Sequence, residues 1–253
     1  MDPVVIALLA SGMLVAAFLY ASVGHGGASA YIAAMAIAGV APAEMRPVAL
    51  QLNVLVSTLA TFKFWRAGHF RWRLFWPFAA ISVPSAYAGG AIMLPGEWYR
   101  ILVGLVLVYA AWQLWWSARR GEELRPLRDA PVALAMVIGA VLGVLSGLTG
   151  VGGGIFLSPL LLLFGWAGTK QTSAIAAPFI LVNSIAALAA GFVKHATLPP
   201  DYIWLLMPAV LAGGWVGAEY GSRKFANPFI RRLLALVLGI AGGKMVLVWN
   251  PGP

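Results

Sequence analysis

The sequence predicts an all-α, polytopic membrane protein, and three observations carry that expectation. Hydrophobic residues fill 61% of the chain and charged residues 10%. An ordinary soluble domain carries about 25% charged residues, so this chain lacks the polar surface to cover itself in water. Apolar runs recur throughout, at 4–21, 48–59, 74–94, 101–116, 132–148, 175–192, 203–216 and 233–249. Several approach the roughly 20 residues that cross a hydrocarbon core as a helix. No alternating pattern of the kind a membrane barrel requires competes with them.

The first run is expected to stay in the membrane, because Met1-Asp2-Pro3 is acidic where a cleaved signal would be basic. With no cysteine, disulfides, thiolate metal sites and cysteine nucleophiles are excluded. The net charge of +9 sits in short loops between runs, which fits topogenic charge and lipid headgroup contact better than nucleic acid. The polar stretch 118–131 reads as a connector.

Laying one half of the chain on the other shows a duplication. Gly24-His25-Gly26-Gly27 falls on Gly150-Val151-Gly152-Gly153, and Asn53 falls on Asn183, each inside an apolar run. Residues 67–72 match 197–202, and 99–107 match 231–239, with offsets of 126 to 132. The expected organisation is an N-terminal repeat at 1–117, a cytoplasmic linker at 118–131 and a C-terminal repeat at 132–253. Each repeat offers about five segments, one of them short: 28–40 and 154–165 either span or are re-entrant. Alternating five-segment halves puts Lys63, Arg66, Arg71, Arg73, Arg119, Arg120, Arg125, Arg128, Lys170, Arg223, Lys224, Arg231 and Arg232 on one side. Arg46, Arg100, Lys194 and Lys244 fall on the other. The positive-inside rule makes the basic side cytoplasmic, with both termini outside. An odd number of segments inverts one repeat relative to the other. Inverted repeats are a hallmark of transporters whose substrate sits near the midplane.

The glycine clusters then have a purpose. Glycine disfavours a helix interior by about 1 kcal/mol relative to alanine. Each cluster therefore breaks a helix and starts another, at Ala28 or Gly154, at membrane depth. Broken backbone is tolerated there when buried or lining a cavity. The new helix start offers unpaired N–H groups and a partial positive charge, a cradle for an anion. Close packing is the plainer alternative. It is the reading for Gly139, Gly143 and Gly147 and for Gly213, Gly217 and Gly221, each set spaced by four.

The expected substrate-binding set is Ser22, Gly24, His25, Gly26, Gly27, Gln51, Asn53, Thr149, Gly150, Gly152, Gly153, Gly154 and Asn183. His25, an ionisable group inside the membrane, is also the candidate for proton coupling, against the alternative of a buried histidine bonded to a carbonyl. Asn53 and Asn183 equally fit interhelical amide bonding, and Ser22 and Thr149 fit capping. Arg46 is a possible anion partner or a snorkelling cation before Pro47, and Lys170-Gln171-Thr172 stands similarly before its span. Glu219 is expected to pair with Arg223 four residues on. His69 and His195 belong to loops. The Trp and Tyr residues at 65, 72, 76, 98, 99, 112, 115, 116, 202 and 204 read as an interfacial belt.

The stretches YASVGHGGASAYIA (20–33), LSGLTGVGGGIFLSPLLLLFG (145–165) and KQTSAIAAPFILVNS (170–184) resemble the TauE/SafE family of membrane permeases, the sulfite exporters. The likeness covers nearly the whole chain. It implies a prokaryotic plasma-membrane protein that moves small anions such as sulfite, sulfoacetate or other organosulfonates, with the motif glycines and Asn183 at the site. His25 stands where the second half has Val151, so the two halves of the cradle are unequal. The expected function is secondary transport of a small anion by alternating access; a passive anion or small-solute channel is the alternative. An enzyme is not expected, since no HExxH motif occurs and the three histidines are scattered. Neither cofactor nor metal is implied. The expected partners are the anion, the bilayer and protons, and a homo-oligomer is compatible with the sequence.

Overall fold

The computed structural model describes residues 3–117, 127–195 and 200–223 and six positions between 236 and 246. Asp2, Arg119, Arg120, Arg125, Lys224, Arg231, Arg232, Lys244 and most of the last apolar run lie outside the described residues, as do the side chains of Lys194 and His195. Among the described residues the chain forms α1 (Pro3–Ala21), α2 (Ala28–Ile37), α3 (Pro42–Arg66), α4 (Trp72–Ala91), α5 (Gly96–Ser117), α6 (Val132–Thr149), α7 (Gly154–Leu163), α8 (Thr169–His195) and α9 (Ile203–Arg223). Five of these, α1, α3, α6, α8 and α9, are long and apolar enough to cross a membrane. The ten-residue helices α2 and α7 rise only about 15 Å, half a hydrocarbon core.

Helices α3, α5 and α8 start well before their apolar runs, α5 at Gly96. α3 begins at Pro42, because a proline in the first turn gives up no hydrogen bond, and Pro47 lies inside it. Arg46 is consequently a helical residue. α8 begins at Thr169, and Gln171 reaches back to accept the Gly168 N–H at 3.3 Å, as in a capping box.

Glycine stripes set the closest packing. Gly139, Gly143 and Gly147 of α6 lie on the carbonyls of Phe78, Ser82 and Ala86 of α4, so any side chain there would collide with backbone. Gly213, Gly217 and Gly221 of α9 lie in the same way on Leu14, Phe18 and Ser22. Numbers rise together in both sets, so α6 runs parallel to α4 and α9 parallel to α1. Three rungs join α3 to α9. The Tyr202 hydroxyl donates to Glu44 at 2.8 Å, Gly214 abuts Val56, and Lys63 meets Glu219 at 2.5 Å. α3 and α9 are therefore parallel too. The α3–α4 hairpin is antiparallel, since Arg46 near the start of α3 donates to the Ile92 carbonyl just beyond the end of α4 at 2.8 Å.

Basic residues gather at one end of this bundle. Glu219 pairs with Arg223 at 2.6 Å as its spacing predicts, and also with Lys63 of α3. Arg71 lies 3.6 Å from Asp129, and the Arg128 N–H donates to the Gly165 carbonyl at 2.8 Å. At the opposite end, burial and the Glu44 carboxylate push the Tyr202 phenol up, which keeps it a donor. Of the aromatic residues expected in an interfacial belt, Trp65, Trp72, Trp98, Trp112 and Trp204 are exposed. Tyr99 departs from it. It is buried, and its hydroxyl donates to the Thr149 carbonyl at 3.3 Å where α6 ends.

Candidate functional site

Two breaks interrupt the chain at corresponding places. α1 ends at Ala21 and α2 begins at Ala28; α6 ends at Thr149 and α7 begins at Gly154. Gly24 and Gly150 hold φ of 74° and 78°, and the N-caps Gly27 and Gly153 hold 97° and 77°. These left-handed values exclude β-branched residues and strain most others. The two short helices also end alike. The Val40 N–H reaches Met35 and the Trp166 N–H reaches Leu161, around Gly39 and Gly165 with positive φ. Both ends are Schellman caps. Neither N-cap carries a side-chain hydrogen bond, so the first N–H groups of α2 and α7 have no side-chain acceptor from the cap.

Asn53 joins the two breaks. Its Nδ2 donates to Ser184 Oγ of α8 at 2.9 Å, across 131 residues of sequence. A Cβ on Gly26 would fall on the Asn53 side-chain oxygen, and one on Gly152 would come 2.5 Å from its nitrogen. Gly26 and Gly152 therefore approach one amide from two sides, and only glycine permits it. His25 makes a second bridge. Its Nδ1 is 3.0 Å from the Val23 carbonyl, and its Nε2 is 3.2 Å from the Gly154 carbonyl and 3.1 Å from Ser158 Oγ. The histidine of the first break thus touches the first turn of α7. Ser158 and Ser184 lie inside the family-like stretches 145–165 and 170–184, yet they escape sequence reasoning, because only tertiary contact marks them.

The remaining residues divide. Gly153 lies against Phe179 and Gly154 against Ile180, both on α8, while Gly24 lies against the Ser173 backbone. Gly27 lies against the Tyr31 ring, whose hydroxyl donates to the Gly26 carbonyl at 2.9 Å. Ser22 and Thr149 turn back on their own helices, donating to the Leu19 and Leu145 carbonyls at 2.7 Å each. Thr149 also accepts the Val151 N–H at 3.3 Å. Gln51, half-buried, is about 200° around α3 from Asn53 and faces the other way. Arg46 lies beside Gly150, with its guanidinium on the carbonyls of Gly89, Gly90 and Ile92 at the end of α4.

Some buried polar atoms find no protein partner. Asn183 is fully buried on α8 with both amide atoms unpaired, and Asn53 Oδ1 and Ser146 Oγ share that state. Each such group costs about 1–3 kcal/mol. Among the described residues no three His, Asp or Glu side chains assemble as a metal site.

Five helices long and apolar enough to cross a membrane mark a multi-pass membrane protein. The family model described as sulfite exporter TauE/SafE matches residues 8–245, and the chain belongs to that family. It is 40% identical over 240 residues, 94% of this chain and 97% of the relative, to "Probable membrane transporter protein y4hK" of Sinorhizobium fredii. A second relative, "Probable membrane transporter protein ORF9" of Sinorhizobium sp., is 25% identical over 217 residues, 83% of this chain and 81% of its own length. No solved structure matches the chain. Both relatives are probable transporters by name, which agrees with membership of a transporter family.

Proposed function

We propose that this protein is a secondary transporter for a small anion, a sulfur oxyanion or organosulfonate, bound where the two chain breaks meet and moved by alternating access. The observation that carries the reading is the Asn53 amide, flanked by Gly26 of one break and Gly152 of the other. A point shared by two uncapped helix starts is where an anion gains most from main-chain N–H groups and helix dipoles.

Helix direction supports an inverted pair of repeats, 1–117 and 132–253. α9 runs with α3 and α1, while α4 runs against α3 and with α6. The corresponding pairs α1/α6 and α4/α9 are therefore antiparallel. α2 and α7 extend from the Asn53 level toward opposite ends, so each fills half the membrane from its own leaflet. In this reading the end bearing Lys63, Arg71, Arg128 and Arg223 is cytoplasmic, the N-terminus is outside, and the membrane is a prokaryotic plasma membrane.

Protons couple through His25. Neutral imidazole donates from Nδ1 to the Val23 carbonyl and accepts from Ser158 at Nε2; protonated, it turns Nε2 into a donor to the Gly154 carbonyl. Protonation thus changes how α2 and α7 are tied, which is the kind of contact alternating access must make and break.

Reconstituted protein tests the proposal. Liposomes loaded with hydrogen sulfite or methanesulfonate should show uptake of labelled substrate that is accelerated by unlabelled anion on the opposite side. Rapid flux without such acceleration is the channel's signature and would overturn it.

A further inference from the structure

Ser146 is one turn before the second break on α6, fully buried, and its hydroxyl has no partner in the protein. Thr61 and Thr172 share that state, but neither stands at a chain break, and the other hydroxyls inside helices mostly turn back on the backbone. Ser11, Ser57, Thr58, Thr149 and Ser173 each return their hydroxyl to the carbonyl four residues back. Such a bond is the default for a hydroxyl inside a helix. Ser146 forgoes it beside Gly153, the N-cap of α7, where a built Cβ would lie 3.5 Å from the Ser146 Cβ and 3.0 Å from the Phe179 ring. One helical turn beyond Phe179 stands Asn183, with both amide atoms unpaired. Ser146 thus lies beside a helix start that has no side-chain cap, and Asn183 stands one turn along α8 from the ring that touches that start.

We infer that Ser146 Oγ and the Asn183 amide, together with the first N–H groups of α7, form the oxygen-binding half of the anion site, and that this half selects a singly charged anion. The inference rests on the anion-transport reading above and adds to it a residue and a charge state. Every donor in the group is neutral. The Arg46 guanidinium is held by the carbonyls of Gly89, Gly90 and Ile92, and His25, the one other group here that can carry positive charge, is neutral in the state that accepts from Ser158. Dipoles alone offset one buried charge. A doubly charged ion loses about four times the solvation, since that cost grows with the square of the charge. A singly charged sulfonate or hydrogen sulfite fits such donors, and the doubly charged sulfate and sulfoacetate do not.

The test is titration calorimetry of the purified full-length protein with methanesulfonate and, separately, sodium sulfate at constant ionic strength, for wild type and Ser146→Ala. Expected are methanesulfonate binding at least tenfold tighter than sulfate, a loss of at least tenfold in methanesulfonate affinity in the variant, and an apo-protein Tm that does not fall. Unchanged affinity in Ser146→Ala with a raised Tm would make Ser146 a merely unsatisfied hydroxyl and overturn its role. Equal affinity for the two anions would overturn the charge selection. Wild-type protein that binds neither anion would remove the anion-site reading itself, and this inference with it.

Discussion

Asn53 donates to Ser184 across the contact of α3 with α8, and the same amide is pressed between Gly26 and Gly152. One side chain thereby holds together four parts of the chain, and its Oδ1 is still unpaired. Asn53→Leu should reduce transport at least tenfold while leaving the protein inserted. Ser184→Ala should cost only the interhelical bond, about 0.6 kcal/mol on the scale measured between membrane helices. Uptake assays paired with thermal melts of both variants check this. Equal, purely thermal losses would make Asn53 a packing residue.

Gly153→Leu should abolish uptake. The structure adds that Leu would meet Phe179 at a left-handed position, so stability falls with it. A gentler variant separates the effects. Gly152→Ala should destabilise by about 1–2 kcal/mol from the left-handed backbone alone, before its contact with Asn53 is counted. Gly12→Ala, in α1 with open space at its Cβ, should be neutral or stabilising by up to about 1 kcal/mol. Denaturation midpoints of the two variants test the contrast.

The breaks were legible because clustered glycine has few other meanings inside an apolar chain, and repetition at a fixed offset aligned them. The stripes at 139–147 and 213–221 were legible for a similar reason: spacing by four puts small residues on one helix face. Spacing could not tell which helix each stripe meets. α1 packs on α9 and α4 on α6, so each pair joins the first half of the chain to the second, and that interleaving is tertiary. The same limit hid Ser184 as the partner of Asn53, one residue from the matched Asn183. It also hid Tyr99, whose position at a span start suits a belt residue equally well.

His25→Ala should flatten the pH dependence of uptake, because the variant cannot alternate between accepting from Ser158 and donating to Gly154. Ser158→Ala should keep some dependence but shift it, since the neutral state loses its donor and the protonated state keeps its acceptor. Proteoliposome uptake between pH 5.5 and 8 reads both (the span around an ordinary imidazole pKa of about 6.5). An unchanged profile in His25→Ala removes the proton route.

Arg46 should act on stability more than on substrate affinity. Its guanidinium satisfies carbonyls at the end of α4, and hydrogen bonds to a charged group contribute about 1.5–3 kcal/mol. Arg46→Gln should lower the melting temperature and leave anion Kd within about threefold, less than 1 kcal/mol. A large loss of affinity at constant stability would return Arg46 to the anion site.

The inverted arrangement is open to a direct chemical test, because the chain contains no cysteine to remove first. Gly68 lies in the α3–α4 turn at the basic end, and Asp201 precedes α9 at the end where Tyr202 meets Glu44. These turns correspond between the repeats, yet the helix directions put them at opposite ends. A membrane-impermeant maleimide should label Asp201→Cys in intact cells and Gly68→Cys only after the membrane is opened. A Glu44→Cys/Tyr202→Cys pair should also be joined by a bis-maleimide that spans the two side chains, as parallel α3 and α9 demand. Labelling of both turns from the same side would make the repeats parallel. The two short helices would then no longer approach Asn53 from opposite leaflets, and alternating access around it would lose its structural basis.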